Sequence, residues 1–342
     1  MTLHAGIEVS SRGVSAAIDV ASGESLVLVG PNGSGKSTVV EAVAGVIALD
    51  SGAITVDGIP YVPRARGRAR EMTPRVALVP QDGVLLPHLS VVDNVGFGPR
   101  ARGARRPVAR AIASAVLDQV GAAHVAQRRP HELSGGEIRR IAIARALALE
   151  PQVILLDEPF AGLDVDVAAG IRALVTSLRA DTTLVLTTHD AADAVLLGDQ
   201  VAVLDTGRIV EAGPPREVFT QPRTAFSARM AGRVLVTGVL SDGALVTTDG
   251  DRIPVAGSHN DGREAALAVR PADVRAQPET APRDNGYTWM IRPLTGLEPR
   301  TDTIRVHGGT LVADVEPEYA RLLAPGGAVV FGVPHGQEAY AI

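Results

Sequence analysis

Gly30-Pro31-Asn32-Gly33-Ser34-Gly35-Lys36-Ser37-Thr38 decides how this chain folds. The run fits the pattern G-x-x-x-x-G-K-[ST] and follows directly on Ser25-Leu26-Val27-Leu28-Val29, an apolar stretch that reads as a buried strand. Behind it Val39, Val40, Val43, Ala44 and Ile47 recur at helical spacing. A glycine-rich turn between strand and helix lets the backbone curl until its N–H groups point inward, and the helix N-terminus adds partial positive charge. Residues Gly30 through Thr38 are therefore expected to cradle nucleotide phosphates. Lys36 should reach the β- and γ-phosphates, and Ser37 should coordinate Mg²⁺. Lys and Arg together number 33, yet Lys36 is the only lysine in the chain. Every other positive charge is an arginine, so this slot calls for a compact ammonium, which a guanidinium fork does not replace.

Moving outward, further apolar runs appear at Val153-Ile154-Leu155-Leu156, Leu184-Val185-Leu186-Thr187 and Val201-Ala202-Val203-Leu204. Strands apolar on both faces suit a central, largely parallel sheet, and alternation with helical patterns makes residues 1–230 an α/β domain. Ile171, Leu174, Val175 and Leu178 mark one face of an amphipathic helix within it. The run at 153–156 ends in Asp157-Glu158-Pro159. That puts two carboxylates at the C-terminal edge of a strand, where open α/β sheets bind ligands. Asp157 is expected to hold Mg²⁺, and Glu158 to polarise an attacking water as general base. Without a phosphate-binding loop nearby, the same pair would read equally well as ordinary solvated acids.

Ser134 and Glu137, in Leu133-Ser134-Gly135-Gly136-Glu137, have the spacing of a helix capping box. Ile138, Ile141 and Ala142 follow on one helix face. Taken alone, this is a well-capped helix. Beside the other motifs, the sequence resembles the ABC ATPase family, whose signature is usually written LSGGQ. The resemblance implies that the helix start, with Ser134, Gly135 and Gly136, faces the γ-phosphate of ATP held by a second copy of the chain. A helix N-terminus with glycine-bare N–H groups suits an anion. Glu137 departs from the usual glutamine. The resemblance also gives roles to Gln81 in Leu78-Val79-Pro80-Gln81-Asp82, which would sense Mg²⁺ and couple to membrane subunits. It places Asp164 of Ala161-Gly162-Leu163-Asp164 at a dimer seam, and His189 of Thr187-Thr188-His189-Asp190 against the γ-phosphate. Many members stack adenine on an N-terminal aromatic. Residues 1–29 hold no Phe, Tyr or Trp, and His4 is their only ring, so no such platform is expected. His88 and His131 have no metal-ligand spacing and read as loop or surface residues.

From about residue 231 the texture changes to short strand-like runs separated by turns: Arg233–Leu240, Ala244–Thr248, Ala265–Arg270, Thr303–Val306, Thr310–Val315 and Ala328–Phe331. Asp242-Gly243, Asp249-Gly250 and Asp261-Gly262 are hairpin dipeptides. The expected fold is an α/β P-loop domain over 1–230, with a helical subdomain at 83–150, followed by a small all-β, OB-like barrel at 231–342. Residues 276–286 read as a loop between two lobes of that barrel. The arginine-rich stretches Arg64–Arg70 and Arg100–Arg106 read as solvated loop or helix faces, with a partner or lipid head groups as the other reading.

Composition narrows the function classes. Apolar residues make up 46% of 342, enough for a core in each of two domains. The net charge of -5 is spread along the chain, which argues against nucleic acid as a partner. The absence of cysteine excludes disulfides and thiolate metal sites and fits a reducing cytosol. No signal-peptide pattern opens the chain, and no apolar run approaches the roughly 18–20 residues that span a bilayer. Membrane-spanning parts must then come from separate permease subunits, with this chain on the cytoplasmic face as a peripheral protein. One phosphate-binding loop and no long coiled coil argue against the translation and DNA-repair branches of the family. Ala268-Val269-Arg270-Pro271-Ala272-Asp273-Val274 resembles the "RPEDV" stretch of accessory β-barrels in importer ATPases. Three stretches resemble molybdate-importer ATPases: residues 81–91, the region from Gly170-Ile171-Arg172 to Asp190, and Phe226-Ser227-Ala228-Arg229-Met230-Ala231-Gly232. The implied protein is an ATP- and Mg²⁺-dependent homodimeric importer subunit that works indirectly with an extracytoplasmic substrate-binding protein. It would take an oxyanion at its C-terminal domain. Sulfate, ferric iron, polyamine or sugar import, and a non-transport regulatory ATPase, stand as alternatives.

Overall fold

The computed structural model describes residues 2–61, 75–179, 182–256, 261–279, 281, 283–308, 311–320, 323 and 328–342. The arginine stretch Arg64–Arg70 lies outside the described residues. The chain divides into two compact units, Met1–Pro215 and Arg216–Ile342. The division falls before residue 230, where the sequence reading put it, so the short helices Pro215–Thr220 and Ala225–Met230 lie at and beyond it.

The first unit opens with β1 (Leu3–Val9) and β2 (Val14–Val20), an antiparallel hairpin that buries every second residue. Then come β3 (Ser25–Val29), α1 (Lys36–Val43), β4 (Ile54–Val56), β5 (Ile59–Pro60) and β6 (Val76–Val79). A helical stretch follows: α2 (Val91–Val95), α3 (Phe97–Ala101), α4 (Arg106–Gln119) and α5 (Gly135–Leu147). The unit ends with β7 (Val153–Leu156), α6 (Val165–Leu178), β8 (Thr183–Thr187), α7 (Ala191–Leu197), β9 (Gln200–Asp205) and β10 (Arg208–Gly213). One sheet runs β2-β1-β4-β5 and the other β10-β9-β3-β8-β7-β6. In the second, the five strands from β9 to β6 are parallel and only β10 is antiparallel. Strands β3, β7 and β8 are buried at every residue, which is why they lack alternation in the sequence. α1 stops at Val43 rather than running on to Ile47, because Gly45 takes φ 70. The arginines at 100, 102, 105 and 106 are exposed around the α3–α4 turn.

The second unit starts with α8 (Pro215–Thr220) and α9 (Ala225–Met230), the latter capped by Thr224. Among the described residues its strands form three sheets. The first contains β11 (Val234–Ser241), β12 (Ala244–Thr247), β13 (Arg252–Ala256), β14 (Glu264–Val269), β21 (Gln337–Glu338) and β22 (Tyr340–Ala341). The second contains β15 (Arg275–Pro278), β16 (Tyr287–Pro293) and β20 (Ala328–Pro334); the third contains β17 (Gly296–Pro299), β18 (Ile304–Gly308) and β19 (Leu311–Val315). One core joins them, with Val236, Leu267, Met290, Val306, Ala313 and Phe331 as members. Asp242-Gly243 forms the expected tight turn, with φ 48 and 70 and Ser241 facing Ala244. The loop read at 276–286 needs correcting at its start, because β15 pairs there with β20. Arg275-Ala276-Gln277-Pro278 has no apolar alternation of its own. It becomes a strand because β20 offers it an edge, and Pro278 is tolerated there since β15 is itself an edge strand.

Candidate functional site

Four neighbouring parallel strands, β3, β8, β7 and β6, deliver their C-terminal ends to one edge of the sheet. The chain leaving β3 is the loop 30–38. The chain leaving β8 carries Thr188, His189 and Asp190; that leaving β7 carries Asp157 and Glu158; and that leaving β6 carries Pro80 and Gln81. Motifs spread over 160 positions of sequence thus share one edge because the sheet is parallel.

Loop 30–38 is shaped by close approach as well as by turns. A Cβ on Gly30 would stand 2.1 Å from the Leu204 carbonyl oxygen, and one on Gly35, at φ 105, would stand 2.7 Å from Val14 Cγ2. Lys36 is 6% exposed. Its Nζ donates to the Gly30 carbonyl at 2.8 Å and the Pro31 carbonyl at 3.0 Å, so the ammonium is folded back across the loop. Burial pushes the Lys36 pKa down, while the charges of Glu158 and Asp157 push it up. Ser34 Oγ is buried without a hydrogen-bond partner, the only such side-chain atom among the described residues. Two glycines pressed against Leu204 and Val14, an unpartnered hydroxyl and a desolvated ammonium together fit an anionic phosphate.

Asp157 is 9% exposed and accepts at Oδ1 from Thr187 Oγ1 at 2.7 Å. The same hydroxyl accepts the Glu158 N–H at 2.8 Å. Thr187, which the sequence reading did not single out, therefore ties the end of β8 to both carboxylate residues. Glu158 takes φ 43, a left-handed conformation that costs a non-glycine residue about 1–3 kcal/mol and recurs at functional sites. His189 Nδ1 lies 3.9 Å from Glu158 Oε2 on a side chain that is 67% exposed, free to meet a ligand. Its loop is braced beneath: Thr188 Oγ1 donates to Asp193 Oδ2 at 3.3 Å, and Asp193, 3% exposed, is paired with Arg172. The Arg172 guanidinium lies 5.1 Å over the Phe160 ring, joining this brace to the residues after Glu158. Asp157, Ser37 and Gln81 offer only oxygen donors, the set a hard divalent ion such as Mg²⁺ takes alongside phosphate.

Gln81 is exposed, and its side chain has no hydrogen bond or ion pair among the described residues. Its turn is held by Arg139 of α5, 7% exposed, whose Nη1 donates to the Pro80 carbonyl at 3.1 Å. Nothing local in the sequence marks Arg139 as buried and Arg140 as less so; packing against the turn after β6 decides it. Ser134, Gly135 and Gly136 follow no strand of the sheet edge: Ser134 caps α5 and the two glycines open it, where an added Cβ on Gly135 would stand 3.9 Å from Leu163 Cδ2 and one on Gly136 2.3 Å from Val167 Cγ1. The expected capping box is present, with Ser134 Oγ accepting from Glu137 N and Glu137 Oε2 accepting from Ser134 N. Asp164 sits at the start of α6 without capping it and is exposed, next to Val165 at 82% exposure. His4 is paired with Asp19 on the neighbouring strand.

The ABC transporter family model matches residues 15–161. The molybdenum import ATP-binding protein ModC of Mycobacterium tuberculosis is 40% identical, over 95% of this chain and 93% of its own length. The chain belongs to the ABC transporter family. Within it, the Fe(3+) ions import ATP-binding protein FbpC of Pseudomonas fluorescens is 37% identical, over 82% of this chain and 77% of its own. Among solved structures, the dimeric ATP-binding cassette MJ0796 in a post-hydrolysis state with ADP and Pi matches with TM-score 0.55 and 26% identity. It covers 63% of this chain and 99% of that one. The ABC chain described here is accordingly an importer-type ATPase subunit, and the residues that match the family model lie within the first unit.

Proposed function

We propose that this ABC subunit powers molybdate uptake, with two copies closing head-to-tail around two ATP molecules. The observation that carries the two-copy reading is the split of the site. Residues 30–38, Asp157, Glu158 and His189 follow strands that share one sheet edge, whereas Ser134, Gly135 and Gly136 open a helix, with the Gly135 and Gly136 N–H unbonded among the described residues. In each site Gly30 to Thr38 bind the phosphates and Lys36 turns from the Gly30 and Pro31 carbonyls to neutralise them. Ser37, Asp157 and Gln81 would hold Mg²⁺, which supplies charge neutralisation across the β- and γ-phosphates. Glu158 takes the proton of the attacking water, and His189 contacts the γ-phosphate. Ser134 and Gly136 of the second copy complete the site, with Gly135 beside them, and Asp164 lies at the seam.

No helix among the described residues is long and apolar enough to cross a membrane, so integral permease subunits supply the path. The chain works as a peripheral subunit on the cytoplasmic face, and an extracytoplasmic binding protein delivers the cargo. The second unit takes an oxyanion; its polar cavity lined by Thr220, Gln221, Arg233, Gln337, Glu338 and Tyr340 offers one guanidinium for it, beside one carboxylate. The cargo rests on the 40% identity to a molybdenum importer along nearly the whole chain. Ferric iron is the second reading, resting on the 37% relative.

Cellular molybdenum under limiting molybdate tests this directly. A strain lacking the chain should lose molybdenum and regain it with wild type but not with Glu158→Gln, whose turnover should fall at least about 100-fold while ATP still binds. Unchanged molybdenum in the deletion strain rules out molybdate and leaves iron uptake as the next assay.

A further inference from the structure

Glu137 stands where the family pattern has glutamine, and its surroundings are unusual for a carboxylate at an anion-receiving helix start. Glu137 Oε2 accepts from the Ser134 N–H at 2.8 Å and from Ser134 Oγ at 3.0 Å. The hydroxyl proton of Ser134 is therefore directed at the carboxylate. The other oxygen, Oε1, lies 3.7 Å from Arg128 Nη1 and 3.7 Å from His124 Nε2. Arg128 is presented from a fixed backbone, because its carbonyl accepts from Val91 N at 2.8 Å and its N–H donates to the Val125 carbonyl at 2.9 Å. The Ser134 N–H holds the Glu137 pKa down against the opposing effect of burial, with the Ser134 hydroxyl, Arg128 and His124 adding to it. The carboxylate is thus charged at neutral pH. An uncompensated negative charge there would oppose a phosphate approaching the Gly135 and Gly136 N–H groups.

We propose that Arg128 is a positioning residue of the shared ATP site: it offsets Glu137, so that this carboxylate caps α5 without repelling the phosphate brought by the second copy. Closure then requires one hydrogen-bond exchange, in which the Ser134 hydroxyl leaves Glu137 Oε2 and donates to the phosphate. Glu137 sets the ATP level at which the pair closes, and Arg128 keeps that level low. The proposal rests on the two-copy reading above.

The test uses the full chain carrying Glu158→Gln and reads, by light scattering in low salt, the ATP concentration that gives half-maximal dimer. Adding Arg128→Ala should raise it about threefold, the size expected of a part-exposed ion pair, and Arg128→Lys should restore it. Adding Glu137→Gln should lower it. Combining Glu137→Gln with Arg128→Ala should abolish the Arg128 effect, and raising salt to about 0.5 M should shrink it. A purely structural Arg128 would change the melting temperature instead and keep no such dependence on residue 137. An unchanged midpoint in Arg128→Ala, or an equal shift with and without Glu137→Gln, overturns the proposal and leaves the two-copy reading standing. Failure of the Glu158→Gln chain to dimerise with ATP at all overturns both.

Discussion

The loop after β3 and the helical stretch from α2 to α5 each hold a charge removed from water, and they hold it in opposite ways. At Lys36 the dominant influence is burial, which lowers the pKa; nearby carboxylates oppose it only through space, and the ammonium's hydrogen bonds go to two backbone carbonyls. At Asp93 the dominant influence is a partner: Arg110 donates to both carboxylate oxygens, at 2.9 and 2.8 Å, and holds the pKa at about 2. The second arrangement is complete, a brace between α2 and α4. The first leaves a buried charge without a direct counter-charge beside an unpartnered Ser34 hydroxyl, and a bound phosphate would satisfy both. Between these two residues, the pKa lowered by uncompensated desolvation lies in the candidate phosphate site, and the one lowered by a partner lies in a brace.

Removing Lys36 is the strongest way to break that contrast. Lys36→Ala should weaken ATP binding on the order of 100-fold, read by calorimetric titration, since truncating one member of a desolvated charge contact costs several kcal/mol. It should not destabilise the fold, because it also removes an uncompensated charge. Tight ATP binding in this variant would show that the ammonium belongs to the fold, as Asp93 does.

A smaller effect is expected one step behind the carboxylates. Thr187→Val keeps the shape of the side chain but takes the hydroxyl from Asp157 Oδ1 and from the Glu158 N–H. Two buried polar groups then lose their partner, at about 1–3 kcal/mol each, and Glu158 loses what holds its left-handed backbone. Turnover should fall roughly tenfold with ATP affinity little changed. A loss of affinity equal to the loss of turnover would place Thr187 in binding instead of in the alignment of Glu158.

The unequal legibility of the sequence follows from the same physics. Loop 30–38, the strand at 153–156 and the capping box at Ser134 are local patterns, and each is present where the residues put it. Thr187 and Arg139 were not legible, because their roles depend on which strand lies next to β7 and which turn α5 packs against. The same holds for β15, whose residues become a strand only because β20 lies beside them. In the second unit, glycine marks such a dependence at Gly308, where an added Cβ would stand 2.2 Å from the fully buried Phe331 ring. Gly308→Ala should overpack that core and lower stability by about 1–3 kcal/mol. In calorimetry the second unit should melt earlier while ATP turnover is unchanged. Equal loss in both would mean that the two units unfold as one.

The smallest effect should come from Asp93 itself, and its pH dependence gives the sign. The folded pKa is about 2, below the ordinary 3.8. The Arg110 pair therefore contributes its full stabilisation above about pH 4 and loses it as pH falls through the folded value. The Asp93 side chain is 14% exposed but Arg110 is 42% exposed, so solvent screening keeps the contribution small. In urea unfolding, Arg110→Ala should be slightly less stable than wild type at pH 6, and the gap should shrink at pH 3, where part of the wild-type advantage has gone. ATP affinity should be the same in both proteins, because the charge at Asp93 is already satisfied within the helices. A gap that widens on acidification would show that Asp93 is stabilised by something other than its arginine. The contrast with Lys36 would then have to be drawn from geometry alone.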